Sequence, residues 1–187
     1  MFDERDSPRD PNQLRVLEAV GEGKDAVRAL WQMFMHDISD ISGYDVGENG
    51  RYDDTYLLDD TDEFSYLPFL IAVGDNLAGF AIVTARKKVN RDVLTRWPDY
   101  SLSDFFVMRK YRRRGAGQGA VNQIWDYLPG KWGVAQLFNH TAATAFWRAV
   151  IGKRTDGDFV EEPAADAVLQ SGHRYQEFFV RSPQNPA

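Results

Sequence analysis

Five cations crowd one short glycine-rich stretch: Arg109, Lys110, Arg112, Arg113 and Arg114 lead into Gly115, Gly117 and Gly119. Immediately before them, Phe105-Phe-Val-Met108 is an apolar run of strand formers. After them, Ala116, Ala120, Val121, Ile124, Trp125 and Leu128 recur at helical period. A strand, a basic turn and the start of a helix are therefore expected in that order. Glycines clear side chains from a backbone that a ligand could approach. A helix N-terminus presents unpaired N–H groups and a partial positive charge. Together these features predict a cradle for phosphate or pyrophosphate. A Walker P-loop is excluded, because no Gly-Lys-Ser/Thr follows. A dinucleotide fingerprint fits poorly, because the turn is cationic and no acidic ribose partner ends a next strand.

A second group of chemically capable residues lies between His36 and Phe64. Ten carboxylates, from Asp37 to Glu63, face Arg51 alone, and Tyr44, Tyr52, Tyr56 and Phe64 are interleaved. Carboxylates and tyrosine faces suit a cationic amine, so this stretch reads as either a substrate-facing wall or a solvated acidic loop. Gly43, Gly47 and Gly50 interrupt any long helix there.

Around these two stretches the chain must supply a scaffold. Its 187 residues suit one ordinary domain, with residues 1–12 a loose N-terminal tail, 13–181 the domain and 182–187 a C-terminal tail. A net charge of -6 argues against nucleic acid as the main partner. The absence of cysteine removes disulfides, thiolate metal sites and a cysteine nucleophile. No His/Asp/Glu spacing suggests a metal. No apolar run is long enough to span a bilayer, and the charged N-terminus is unlike a signal peptide, so a cytoplasmic protein is expected.

The elements follow in order. Gln13 to Val20 alternates as a strand, and Lys24 to Ile41 shows Ala26, Val27, Leu30, Met33, Phe34 and Ile38 as the buried face of a helix. Pro68–Val73 and Leu77–Ala85 form a hairpin about Gly74-Asp75-Asn76. Beyond the glycine-rich turn come a helix to Pro129, a strand from Trp132 to Phe138, and a helix from Ala142 to Ile151. Thr155–Glu162 and Arg174–Arg181 are the last two strands.

Arg112-Arg-Arg-Gly115-Ala-Gly117 resembles the (Gln/Arg)-x-x-Gly-x-(Gly/Ala) signature of the GNAT N-acetyltransferases. His140-Thr-Ala-Ala143-Thr-Ala-Phe146-Trp147 resembles the family's Asn-x-x-Ala-x-x-(Phe/Leu)-Tyr segment, with His140 at its asparagine and Trp147 at its tyrosine. The resemblance implies an α/β fold: a central mixed, mostly antiparallel sheet of six or seven strands, flanked by helices and splayed between the signature strand and the next. It implies acetyl-CoA as acyl donor and a bacterial acetyltransferase of small amines, as monomer or homodimer, with neither nucleic acid nor membrane as partner.

Acyl transfer from a thioester to an amine then needs four things. The CoA pyrophosphate would be held by the main chain of Arg113, Arg114, Gly115, Ala116, Gly117 and Gln118, with Arg112 and Arg114 adding charge. A backbone N–H among Phe106, Val107 and Met108 would meet the thioester oxygen. Asp104 is the candidate base, directly or through water; it could equally be a polar residue at a strand end. Relatives often carry Glu at this place. The thiolate must gain a proton from Tyr175, His140 or solvent, because the Trp147 indole is no usable acid. Trp147 and Phe146 would pack on the core or the cofactor. A non-catalytic acyl-CoA-binding protein and an anion- or nucleic-acid-binding module are the competing readings.

Overall fold

The computed structural model describes residues 10, 12–55, 57–87, 98–137, 139–163 and 173–180. Tyr56, most of the expected N-terminal tail and the C-terminal tail fall outside this set, as do the side chains of residues 162, 163 and 173–175. The order is β1 (Leu14–Glu18), α1 (Glu22–Ser42), β2 (Phe64–Val73), β3 (Asn76–Arg86), β4 (Tyr100–Val107), a 3-10 turn (Arg109–Tyr111), α2 (Ala116–Tyr127), β5 (Gly130–Leu137), α3 (Thr141–Thr155), β6 (Phe159–Pro163) and β7 (His173–Val180). One seven-stranded sheet runs β1-β2-β3-β4-β5-β7-β6. Every neighbouring pair is antiparallel except β4 and β5. The expected mixed, mostly antiparallel sheet is the one observed.

Its opening between β4 and β5 is the feature that makes a site. The two strands pair only over Tyr100–Leu102 and Trp132–Val134. At that closed end the Asp99 carboxylate accepts the Lys131 N–H at 2.9 Å, and Tyr100 packs on Trp132 with ring centroids 5.2 Å apart. Past Leu102 the strands part. There β4 carries an extra residue: Leu102 pairs with Val83 and Asp104 with Ile82, so Ser103 has no partner across the ladder. Such a bulge bends its strand and resets which side chains face which layer. After it, Asp104 and Phe106 turn towards α1, while Phe105 and Val107 pack with the α2–α3 layer.

The two layers have separate cores. On one face α2 and α3 lay Val121, Ile124, Trp125, Trp147, Val150 and Ile151 over Ala81, Val83, Trp132 and Val134. On the other, α1 lays Val27, Leu30, Trp31 and Met35 over Phe80, Ile82 and Phe106. Met33 is a correction to the expected face of α1: it is 47 % exposed. At ~100° per residue it points well away from the stripe of residues 27, 30, 31, 34, 35 and 38, so Trp31 and Met35 take the buried positions. On the exposed edge of β1, Gln123 of α2 accepts the Val16 N–H at 3.1 Å and donates to the Leu14 carbonyl at 3.3 Å. That pins the signature helix to the far side of the sheet.

Candidate active site

The turn between β4 and α2 leaves main-chain donors open. Arg113 and Gly115 adopt φ of 58° and 82°, left-handed values that curl the chain around the head of α2. The N–H groups of Tyr111 and Arg112 are engaged locally by the Met108 and Arg109 carbonyls. From Arg113 to Gln118, none donates to a protein acceptor among the described residues, and no side chain caps the helix. Gly119 N–H begins the helical ladder at Gly115 O. These amides and the α2 dipole form an anion-binding concavity. Close packing allows it to form. A Cβ on Gly117 would stand 3.2 Å from the Phe146 ring, and one on Gly119 only 2.5 Å from Leu14 Cδ2.

The arginines divide. Arg113 and Arg114 are exposed and have no ion-pair partner among the described residues. Arg112 is a correction. Instead of facing the concavity, its Nε donates to Val107 O at 2.6 Å, its Nη2 to Asp37 Oδ2, and its guanidinium lies over the Phe106 ring. Arg109 also grips Asp37, through Nε at 2.9 Å. Burial pushes the Asp37 carboxyl up, but the hydrogen bonds and charges of Arg112 and Arg109 outweigh it and hold the group below its ordinary value.

A second set of donors lines the opened edge of β4. Met108 N–H is bonded to Ala78 O at 2.8 Å, so it cannot receive a ligand. Antiparallel alternation from that bond places the Phe106 and Asp104 amides in the β3 ladder. The Phe105 and Val107 amides then point into the gap, where β5 no longer pairs. Of the three residues expected to meet a thioester oxygen, geometry leaves Val107.

A cavity of about 730 Å3 fills the gap beneath α1. Asp104, Tyr44, Tyr52, His140 and Trp147 all line it. The acidic segment reaches it because Gln32 of α1 bonds both main-chain groups of Tyr52, at 2.9 and 3.0 Å, and Arg28 donates to the Asp54 carbonyl at 2.5 Å. Residues 51–54 are thereby stapled to the helix as a wall. Tyr52 is buried, while Tyr44 stands exposed at the rim.

Withdrawal from bulk water raises the Asp104 carboxyl from 3.8 to about 6. The nearby Trp31 indole N–H, which makes no formed hydrogen bond, opposes that rise. His140 precedes the first turn of α3, where its carbonyl accepts the Thr144 N–H at 3.1 Å. Burial, then the charge of Arg112, push its imidazole down against the pull of Asp37 and Asp40, so it is neutral at pH 7. Trp147 is 5 % exposed and wedged against Phe105 and Phe146 at 5.4 and 4.8 Å. Phe146 itself stacks on Phe105 at 6.0 Å. Sequence reasoning missed Trp31 and Asp37. Trp31 was one apolar residue among several on α1, and Asp37 one acid among ten.

Main-chain donors at a splayed strand leading into a glycine-rich helix start are the arrangement that the family signature implied. The family model described as "Acetyltransferase (GNAT) family" matches residues 27–152. The chain belongs to the GNAT acetyltransferase family. Its fold is similar to an acetyltransferase from Thermus thermophilus, at TM-score 0.62 and 15% identity, with 89% of this chain and 96% of that one covered. It is similar to the ribosomal-protein-S18-alanine N-acetyltransferase from Escherichia coli, at TM-score 0.54 and 12% identity over 94% and 99% of the two chains. It is also similar to Naa50 from Arabidopsis thaliana in complex with the bisubstrate analogue CoA-Ac-MVNAL, at TM-score 0.50 and 14% identity over 88% and 96%. No curated protein sequence matches this GNAT chain. Among the described residues, no cluster of metal-ligating side chains occurs and no helix is long and apolar enough to cross a membrane.

Proposed function

We propose that this GNAT protein transfers an acetyl group from acetyl-CoA directly to the primary amine of a small cationic acceptor. The observation that carries the reading is the run of unpartnered main-chain N–H groups from Arg113 to Gln118, continued by the open edge of β4. The run would hold the pyrophosphate, with Arg113 and Arg114 adding charge. The pantetheine arm would lie in the gap, and the Val107 N–H would meet the thioester oxygen as it gains negative charge. Asp104, turned towards α1, would take the proton that the attacking ammonium must lose. The amine nitrogen bonds to the carbonyl carbon, the C–S bond breaks, and the electron pair leaves on sulfur. A thiol titrates at ~8.5, so this thiolate leaves without a concerted acid, and the second proton shed by the new amide nitrogen reaches it through water. That accounts for a core-packed Trp147 where relatives place tyrosine. The Arabidopsis protein of the same fold is bound by a bisubstrate analogue, the arrangement that direct transfer requires.

A second reading, a non-catalytic acyl-CoA-binding protein, draws on that same tryptophan. Acetyl-CoA raising the melting temperature, followed by release of free thiol with an amine panel, supports transfer. A melting shift without thiol release for any amine supports the second reading, and no shift at all overturns both.

A further inference from the structure

The walls of the cavity specify what kind of amine they would accept. On the α1 side Trp31, Phe34 and Met35 face it; opposite stand Phe105, Val134 and Trp147. Four of these six are aromatic. Among the described residues, the carboxylates and imidazole at its lining are those of Asp45, Asp53, Asp104 and His140, and neither Lys nor Arg lines it. The two cations on the neighbouring turn, Arg109 and Arg112, are already committed to Asp37. His140 is neutral at pH 7, because burial and Arg112 depress it. Asp53 stays charged, because hydrogen bonds from the Thr55 hydroxyl and N–H hold its carboxyl below the ordinary value. A carboxylate entering this space would meet no cation among the described lining residues and three like charges.

Buried in the same lining, the Trp31 Nε1–H lies near the Asp104 carboxyl and favours its ionised form, although it makes no hydrogen bond of normal geometry among the described residues.

We infer that the acceptor is a monoamine carried on a flat apolar body and bearing no carboxylate: an arylalkylamine in class, as distinct from an amino acid or a polyamine. This rests on the acetyltransferase reading above. The amine reaches Asp104 through the gap in the sheet, and its ring lies between Trp31 and Phe34 on one side and Phe105 on the other. Desolvation between those rings also lowers the ammonium's own pKa, which helps it to give up a proton to a carboxylate titrating near 6. A second ammonium on an aliphatic chain would lose its hydration against the rings, and the other lining carboxylates, Asp45 and Asp53, are exposed, so water screens what they could return.

Four amines isolate the three claims, each assayed with acetyl-CoA by thiol release. Phenylalanine differs from 2-phenylethylamine by the carboxylate, pentylamine by the ring, and 1,5-diaminopentane differs from pentylamine by a second cation. The expected order of kcat/KM places 2-phenylethylamine at least ~100-fold above phenylalanine and roughly 10-fold above pentylamine, with the diamine below pentylamine. Trp31→Phe, which keeps a ring but removes the N–H that favours ionised Asp104, should move the acid limb of kcat/KM to higher pH, keep the order of the four amines and leave the KM of acetyl-CoA unchanged. Preference for phenylalanine or the diamine overturns the inference and leaves the transferase standing. Thiol release with none of the four but with another amine of the wider panel overturns the inference and leaves the transferase standing; release with no amine at all, while acetyl-CoA still raises the melting temperature, overturns both.

Discussion

Replacing Asp104 by Asn should move stability and activity in opposite directions. The carboxyl faces α1 from the bulged part of β4 and titrates near 6 instead of 3.8, because folding removes it from bulk water. A rise of that size corresponds to ~3 kcal/mol against the ionised form, and contact with the cavity reduces it to about 1–2 kcal/mol. The folded state binds this proton more tightly than the unfolded state. Below about pH 4 both states are protonated and nothing is lost. As pH rises from 4 through 6 the folded protein loses stability progressively, and above 6 the full cost is present. Asparagine keeps the shape without the charge. The variant should therefore melt roughly 2–8 °C higher than the parent at pH 7.5, with the gain gone at pH 4. Loss of the base should lower kcat/KM by about 10²–10⁴-fold and abolish the acid limb near pH 6, below which the parent's rate falls. Thermal denaturation at the two pH values and thiol release across pH 5–9 measure both effects. A variant that is less stable at pH 7.5, or that keeps its turnover and its acid limb, would refute the placement of Asp104 as a buried base.

Three further outcomes follow from the geometry. A methyl at Gly79 would lie 2.0 Å from the Phe106 carbonyl oxygen and 3.0 Å from Val107 Cα, both main chain, so Gly79→Ala must push β3 from β4; a loss of ~2–3 kcal/mol in urea unfolding is expected, with weaker acetyl-CoA binding because Val107 moves. The double change Arg113→Ala, Arg114→Ala removes exposed charge and leaves the amides, so calorimetry should show acetyl-CoA affinity falling only roughly 3–10-fold, with a shallower salt dependence and unchanged kcat. Trp147→Phe should cost ~1–2 kcal/mol in packing against Phe105 and Phe146 and leave the pH–rate profile unaltered, because an indole has no proton to give in this range.

What could be read from the chain alone was local. The β2–β3 hairpin announces itself by two continuous apolar runs either side of Gly74-Asp75-Asn76, and the cradle by a strand, glycines and a helical stripe within twenty-odd residues. The order of the other elements was legible for the same reason. The bulge at Ser103 has no signature in residue type, yet it decides that Asp104 faces α1. The parting of β4 from β5 came from family resemblance, because periodicity carries no information about where two strands stop pairing. Arg112 shows the same limit. Its charge was evident, but its partner Asp37 lies 75 residues away, and composition could not choose between a phosphate and that carboxylate. Trp31 was invisible because an indole on a helical stripe looks like any other core residue until its N–H is found beside the Asp104 carboxyl.

The two halves of the site are built from different materials, and this has consequences. On the proposed donor side the open groups are main-chain amides, at the head of α2 and on alternate residues of β4. Their positions depend on φ values, a bulge and close glycine contacts; they carry no pKa and survive most side-chain changes. Arg112, the one signature side chain expected to join them, instead braces α1 against the end of β4 through Asp37 and the Val107 carbonyl. On the acceptor side everything is side chain: the rings of α1 and α3, the Asp104 carboxyl, and the acidic wall held by Gln32 and Arg28. Substitutions there should therefore change which amine is used while leaving acetyl-CoA affinity alone. Backbone changes at Gly79 or Gly115 should do the reverse, because among the described residues the Asp37 brace is the polar tie that joins α1 to the signature turn.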